Sequence, residues 1–256
     1  MPGFVRIAAA LLPGWLRPAA RHFYRWARAA LLRGNRVECP ICQGRFRRFL
    51  PLGNPLRPGA QCPRCCALER DRLLWLYLTR ETDFFSAGPR LLDYSPAPAL
   101  AAELRRKASL RYVTTAISPE DHPDFTADAA ALPVGDRAFD AALCIHVLEH
   151  VENDRAAMRE LARVLRPGGL ALVMSPADPA RERTFEDGRA RTPEERRRLF
   201  GQADHVRIYG RDLPDRLAQA GLEVRAVQYA AGLSAQEVRR YGLRADHLIY
   251  RCRRPA

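Results

Sequence analysis

A chain of 256 residues can bury a main core plus a small appendage, so one main domain and one minor one are expected. The formal charge of +13 is concentrated: residues 1–80 hold 15 arginines against Glu38, Glu69 and Asp71, which leaves a net of only +1 for residues 81–256. No uncharged run reaches the roughly 18–20 residues of a membrane span, and the two Cys-x-x-Cys pairs among seven cysteines read as metal ligands in a reducing compartment rather than as disulfides.

The basic segment asks for an acidic partner, either nucleic acid bound through residues 1–80 or anionic lipid headgroups. A compositional bias is the competing reading, since Lys107 is the sole lysine. Residues 7–16 have the length of a signal-peptide core, but arginines and then a thiol cluster follow them, so a cytoplasmic protein is expected. Residues 1–36 form a basic amphipathic segment. After Pro18 a helix is predicted, with Arg17, Arg21, Arg25 and Arg28 on one side and Phe23, Trp26, Ala30 and Leu31 leaning toward another. Such a helix either lies on a membrane surface or packs its aromatic side on the domain behind it, and the second reading is favoured. Gly34 and Asn35 should end it.

Residues 37–80 carry Cys39-Pro40-Ile41-Cys42 and Cys62-Pro63-Arg64-Cys65. Zinc takes four ligands in a tetrahedron, and a Cys-x-x-Cys turn offers two thiolates to one ion, so Cys39, Cys42, Cys62 and Cys65 are the expected ligands of a small zinc ribbon. The insert fits a hairpin, with Arg45–Leu50 as a strand and Gly53-Asn54-Pro55 as a turn. Gln43 and Cys66 stand where such turns often have glycine, and Cys66 is an alternative to Cys65 as fourth ligand. A redox pair of thiols would need a βαβ setting that is missing here. Residues Ala67–Thr79 then read as a helix apolar on nearly every side, buried between the ribbon and a following sheet.

From residue 88 to 256 short apolar runs alternate with helices, the rhythm of a doubly wound parallel sheet whose ligands bind at the carboxyl ends of its strands. Strands are predicted at Leu91-Leu92, Arg111–Ile117, near Phe125, at Phe139–Ile145 and at Leu170–Met174. Helices are predicted over Ala99–Lys107 and after Asn153, the latter stopped by Pro167-Gly168-Gly169. Residues 176–210 break the rhythm as a charged insertion, either a lid or a solvated excursion. Beyond it Asp212 should cap a helix ending at Gly221, Leu222–Tyr229 and His247–Cys252 should be strands, and Ser234 with Glu237 forms a capping-box spacing before a helix closed by Gly242.

Asp128-Ala129-Ala130-Ala131-Leu132-Pro133, Phe139-Asp140, His146-Val147-Leu148-Glu149-His150-Val151 and Leu165-Arg166-Pro167-Gly168-Gly169 together resemble the class I S-adenosylmethionine-dependent methyltransferases, type 11-like, with an N-terminal cysteine-rich module. The resemblance covers roughly residues 88–255. It implies a Rossmann-like α/β fold with strand order 3-2-1-4-5-7-6 and the last strand antiparallel. It also implies S-adenosylmethionine as methyl donor, held by Asp93, Tyr94, Ser95 and Ala97 after strand one, by Thr115 and Ala116 at strand two, by Asp128 and Ala129 at the adenine, and by Cys144 beside the transfer site. The usual glycines of the first turn are Ser95, Ala97 and Ala99, small enough for close approach but not for a conformation that only glycine adopts. Ala116 stands where an acidic residue would bind the ribose, with Thr115, Ser118 or Glu120 as substitutes.

A methyl transfer needs a base only where the acceptor carries a proton, and His146 and His150 are the candidates, with His205 able to reach in from the insertion. Each histidine has a structural alternative, a hydrogen bond at a helix start. Glu149 is placed at a helix entrance, while Cys144 and Cys252 read as core. The reading from a different class is a degenerate methyltransferase fold that serves as a zinc-containing scaffold for nucleic acid or protein.

Overall fold

The structure, a computed structural model, describes residues 13–53 and 55–256. Residues 7–12 of the apolar N-terminal run and Asn54 of the predicted turn lie outside the described residues.

Helix α1 (Arg17–Leu31) carries Arg28 in its last turn, where a cation suits the helix dipole. Its aromatic side is not packed: Phe23 and Trp26 stack on each other, with ring centroids 6.1 Å apart, and are 66% and 64% exposed. The expectation that they cover the domain behind them is therefore overturned. Gly34 and Asn35 do not end the helix but lie in strand β1 (Arg33–Glu38), which begins one residue after the Leu32 cap. Close strand approach explains the glycine, since a Cβ on Gly34 would meet Arg47 Cγ at 2.6 Å.

β1 pairs antiparallel with β2 (Arg45–Phe46), and β3 (Leu50–Leu52) pairs antiparallel with β4 (Arg57–Gln61). The single strand predicted over Arg45–Leu50 is thus two strands in two hairpins. They are broken at Arg47–Phe49, and Phe49 is buried. In helix α2 (Glu69–Arg80) the run Leu73–Leu78 is buried throughout, as its all-round apolarity requires. A short helix α3 (Phe84–Ala87) closes on Gly88, whose φ is +64°.

The sheet contains β5 (Arg90–Tyr94), β6 (Arg111–Ala116), β7 (Phe125–Thr126), β8 (Phe139–Ile145) and β9 (Leu165–Met174). Helix α4 (Pro98–Arg105) links β5 to β6, and α5 (Asp154–Val164) links β8 to β9. After β9 the insertion supplies β10 (Phe185–Glu186), α6 (Pro193–Phe200) and β11 (Arg207–Ile208), β10 and β11 pairing with each other. Then come α7 (Leu213–Ala218), β12 (Glu223–Val227), α8 (Ala235–Tyr241) and β13 (Ile249–Arg253). The sheet order is β7-β6-β5-β8-β9-β13-β12, which is 3-2-1-4-5-7-6, and β13 runs antiparallel to both neighbours.

Two of the four helix ends differ from expectation. Asn153 does cap α5, its Oδ1 accepting from Ala156 N at 3.0 Å. At the other end, however, Pro167-Gly168-Gly169 lies inside β9, and the final carbonyls of α5 are taken instead by Arg254 Nη1, which donates to Ala162, Arg163 and Leu165. Asp212 makes no cap on α7, because its Oδ1 accepts from Thr184 N and Oγ1 at 2.8 and 2.7 Å. On α8 the Ser234–Glu237 capping box is formed and Gly242, at φ +56°, closes the helix.

The chain divides into two compact units: residues up to Leu76 together with Leu233–Arg244, and Tyr77–Gly232 together with Ala245–Ala256. In the first unit Arg72 is fully buried and donates to the carbonyls of Gly59, Ala60, Ala67, Tyr241 and Gly242, with its guanidinium 4.0 Å above the Phe49 ring. In the second unit the core lies between the sheet and helices α5 and α7, around Leu92, Phe139, Leu148, Met158, Leu161, Leu213 and Tyr250.

Candidate active site and thiol cluster

In the first unit, the two Cys-x-x-Cys turns bring four sulfurs together. The Sγ atoms of Cys39, Cys42, Cys62 and Cys65 lie within 4.8 Å of one another, with 3.6 Å between Cys39 and Cys65 and 3.7 Å between Cys42 and Cys62. A tetrahedron with Zn–S bonds of about 2.3 Å has edges of about 3.8 Å, so the spacing already suits an ion. Mutual contact among the four thiols lowers the pKa of Cys42 and Cys62 and raises that of Cys39 and Cys65. Each turn closes alike, with Gln43 N donating to Cys39 O and Cys66 N to Cys62 O, at φ +57° and +66° where glycine is usual. Cys66 is not in the cluster. Its sulfur accepts from Arg28 Nη2 at 2.8 Å, which leaves Cys65 as the fourth member.

In the second unit the carboxyl ends of β5, β6 and β8 lie side by side, with Tyr94 in register with both Thr115 and Cys144. The hydroxyls of Tyr94 and Thr115 are buried and have no hydrogen-bond partner. Above them Ser95 turns the chain at φ +47° and donates its N–H to Thr115 O at 2.7 Å. The left-handed turn expected of a glycine is therefore made by serine. Ala97 leads extended into α4. Asp93 is buried beneath the turn, accepting from Tyr112 Oη at 2.6 Å, and burial together with this carboxylate raises the tyrosine's pKa.

Ala116 is buried and apolar at the end of β6. The Ser118 hydroxyl is occupied by Glu120 N, and Glu120 is exposed. Asp128 Oδ1 accepts from Ala130 N at 2.8 Å, folding the Asp128–Ala131 turn that also holds Ala129. Burial raises the pKa of the Cys144 thiol and pushes that of Cys252 up to about 12, so both stay protonated in the core.

Beyond β8, His146 sits at φ +56° with its N–H donating to Met174 O. Its Nδ1 lies 3.1 Å from Glu149 Oε1. Glu149 is five residues before α5 rather than at its entrance, and it is 1% exposed. Burial raises its pKa, but His146 and the Ser175 hydroxyl, which donates to Oε2 at 2.6 Å, outweigh this and hold the carboxyl below its ordinary range. His150 Nδ1 meets the Asp204 carbonyl at 3.1 Å, and its ring stands edge-on to His205 at 4.7 Å. His205 therefore does reach in from the insertion; burial keeps its pKa low and its imidazole neutral.

The end of the insertion is fastened, while most of residues 176–204 remain exposed. Val206 N donates to Glu149 O at 2.9 Å, and Arg207 donates to the carbonyls of Leu148, Val151 and Glu152 and to Glu186. Asp154 behind them accepts from Tyr209 Oη at 2.9 Å and Arg216 Nη1 at 2.6 Å. Sequence reading missed Ser175, Arg207 and Arg216. Ser175 directly follows an apolar strand, a position that was the available signal for it. The two arginines were hidden in an arginine-rich background.

A family model described as a methyltransferase domain matches residues 67–227. The demethylmenaquinone methyltransferases of Mycobacterium bovis and Mycobacterium tuberculosis are each 33% identical to the chain over 121 residues, 44% of this chain and 51% of theirs. That of Corynebacterium urealyticum is 30% identical over 118 residues, 43% of this chain and 51% of its own. The chain thus spans about half the length of the curated relatives it matches. Among solved structures, an S-adenosylmethionine-dependent methyltransferase from Mesorhizobium loti aligns with a TM-score of 0.51 at 19% identity, over 71% of this chain and 98% of that one, a likeness of fold.

Proposed function

The chain belongs to the methyltransferase-domain family, and from that premise we propose that it is an S-adenosylmethionine-dependent methyltransferase whose second unit binds the cofactor over the carboxyl ends of β5, β6 and β8. The observation that carries this reading is the side-by-side end of β5, β6 and β8 under the Ser95 turn, where the Thr115 hydroxyl is buried and unpartnered. A buried hydroxyl left unsatisfied costs stability, so a polar ligand that reaches Thr115 would repay it. A methyl-bearing sulfonium is what the cofactor supplies.

The chain's own residues orient the reaction. Ser95 and Ala97 let the backbone approach the ligand closely, while Asp93 holds the turn through Tyr112. With Ala116 apolar, Thr115, whose hydroxyl has no partner, is the group that takes over at the ribose. Asp128 fixes the Asp128–Ala131 turn for the adenine. His146, oriented by the Glu149 carboxylate, accepts the proton of a protic acceptor, and His150 lines the same end of β8. Cys144 contributes shape and not chemistry. The fastened end of the insertion excludes water and selects the acceptor. In the first unit, Cys39, Cys42, Cys62 and Cys65 hold one zinc ion, which folds that module and takes no part in methyl transfer.

Calorimetric titration of the full chain with S-adenosylmethionine tests the reading. Saturable binding is expected, weakened about 2- to 10-fold by Thr115→Val, the worth of one neutral hydrogen bond. No heat of binding at millimolar cofactor would overturn it and favour the scaffold reading.

A further inference from the structure

We infer that Glu149, His150 and His205 form a second metal site, for one divalent transition-metal ion, at the turn that follows β8. One ligand atom from each lies within 4.8 Å of the other two. An ion with bonds of about 2.0–2.2 Å to nitrogen and oxygen keeps its ligand atoms about 3–4.4 Å apart, so a small inward movement closes the site.

The three groups are built into place rather than meeting by chance at a surface. Val206 N donates to Glu149 O, so the backbone delivers the neighbouring His205 onto the Glu149-His150 turn. Arg207 locks the same turn through three carbonyls. The Asp204 carbonyl can only accept, so it takes the Nδ1 proton of His150 and leaves Nε2 with the free lone pair. A backbone carbonyl behind an imidazole is the usual outer-shell support of a metal-binding histidine.

Glu149 provides an independent observation. Ser175 anchors Oε2, whereas the buried Oε1 meets a single side chain, His146, whose Nδ1 lies 3.1 Å away, and keeps a lone pair unused. A buried carboxylate oxygen with an unused lone pair is a position that a cation fills. Two imidazoles and one carboxylate select zinc, cobalt, iron or manganese over magnesium, and three protein ligands leave at least one coordination position open. The His150 side chain is 35% exposed, which gives the ion its way in. This inference does not rest on methyl transfer, because metal uptake is measured without cofactor.

The test is titration of the purified full chain with Co2+, followed by visible absorption and by metal content per chain. Two classes are expected: one with intense thiolate charge-transfer bands from the four cysteines, and a second with weak ligand-field bands alone. Glu149→Gln and His150→Ala should each abolish the second class while sparing the first, by more than the about 10- to 100-fold that losing an outer-shell partner costs. His205→Ala should do the same. Should that buried substitution unfold the chain, His150→Ala decides alone, with circular dichroism confirming its fold. A chain that takes up cobalt only with thiolate bands, or a second class unchanged in His150→Ala, would overturn the inference.

Discussion

Arg207 donates from Nη1 to the carbonyl oxygen of Leu148 at 2.7 Å, fastening the insertion after β9 to the turn after β8. The same guanidinium reaches Glu152 O and Glu186 Oε1, each at 2.9 Å, and is 3% exposed. A lysine ammonium is a point donor and cannot span this set. Arg207→Lys should therefore lower stability by about 2–4 kcal/mol, the cost of leaving two or so buried carbonyls unsatisfied. It should also open residues 176–206 to limited proteolysis. A cleavage pattern identical to that of the parent would show that the insertion is held elsewhere.

What the sequence disclosed followed from local pattern. Phe139–Ile145 reads as a buried strand because it is a continuous apolar run, and Asn153 signals α5 because a side-chain cap needs only three residues of context. The sheet order came with the family motifs. What stayed hidden depends on distant partners: Arg207 satisfies carbonyls more than fifty residues away, which no periodicity records. Pro167-Gly168-Gly169 looks like a helix stop, yet Arg254 supplies the stop and frees the glycines for β9. At the site, His205 was visible as a candidate but its edge-on approach to His150 was not, since it depends on the fastening of the insertion. Ser95 shows the reverse error, because a left-handed turn favours glycine without requiring it.

Arg72 makes five bonds to backbone carbonyls, which join the segments around Gly59–Ala67 to those around Tyr241-Gly242 in the first unit. Removing it leaves several acceptors buried and a void above Phe49. Arg72→Ala should cost at least about 3 kcal/mol, given about 1–3 kcal/mol for each acceptor left unsatisfied. Chemical denaturation followed by Trp fluorescence checks this; a midpoint within error of the parent's would refute the account.

The neighbouring cysteines 65 and 66 should behave differently. Cys65 belongs to the sulfur cluster, whereas Cys66 accepts from Arg28. Cys65→Ser should lose its zinc on dialysis against a chelator, and the two hairpins should lose protection from amide exchange, because metal binding and folding are coupled in such modules. Cys66→Ser should keep one zinc per chain. Equal zinc loss in both variants would mean that the fourth ligand is shared.

Glu160 gives a pH-dependent outcome. Its carboxylate accepts from Arg163 Nε at 2.6 Å and Nη2 at 2.8 Å, and from Leu132 N at 2.8 Å, so it pins the segment after Asp128 to α5. Arg163 lowers its pKa below 4.5, against the opposing effect of burial, and the Leu132 amide adds to the lowering. A depressed folded-state value means that the stabilisation is complete above pH 4.5 and is lost as pH falls through the folded value. Glu160→Gln keeps the shape but not the charge, and at neutral pH it should be less stable by about 1.5–3 kcal/mol, the range for hydrogen bonds to a charged group. The gap between the two proteins should narrow steadily below pH 4.5, where the parent's carboxylate takes up its proton. Urea unfolding of both across that range is the measurement, and a gap that stays constant would show that the charge on Glu160 contributes nothing to holding this segment.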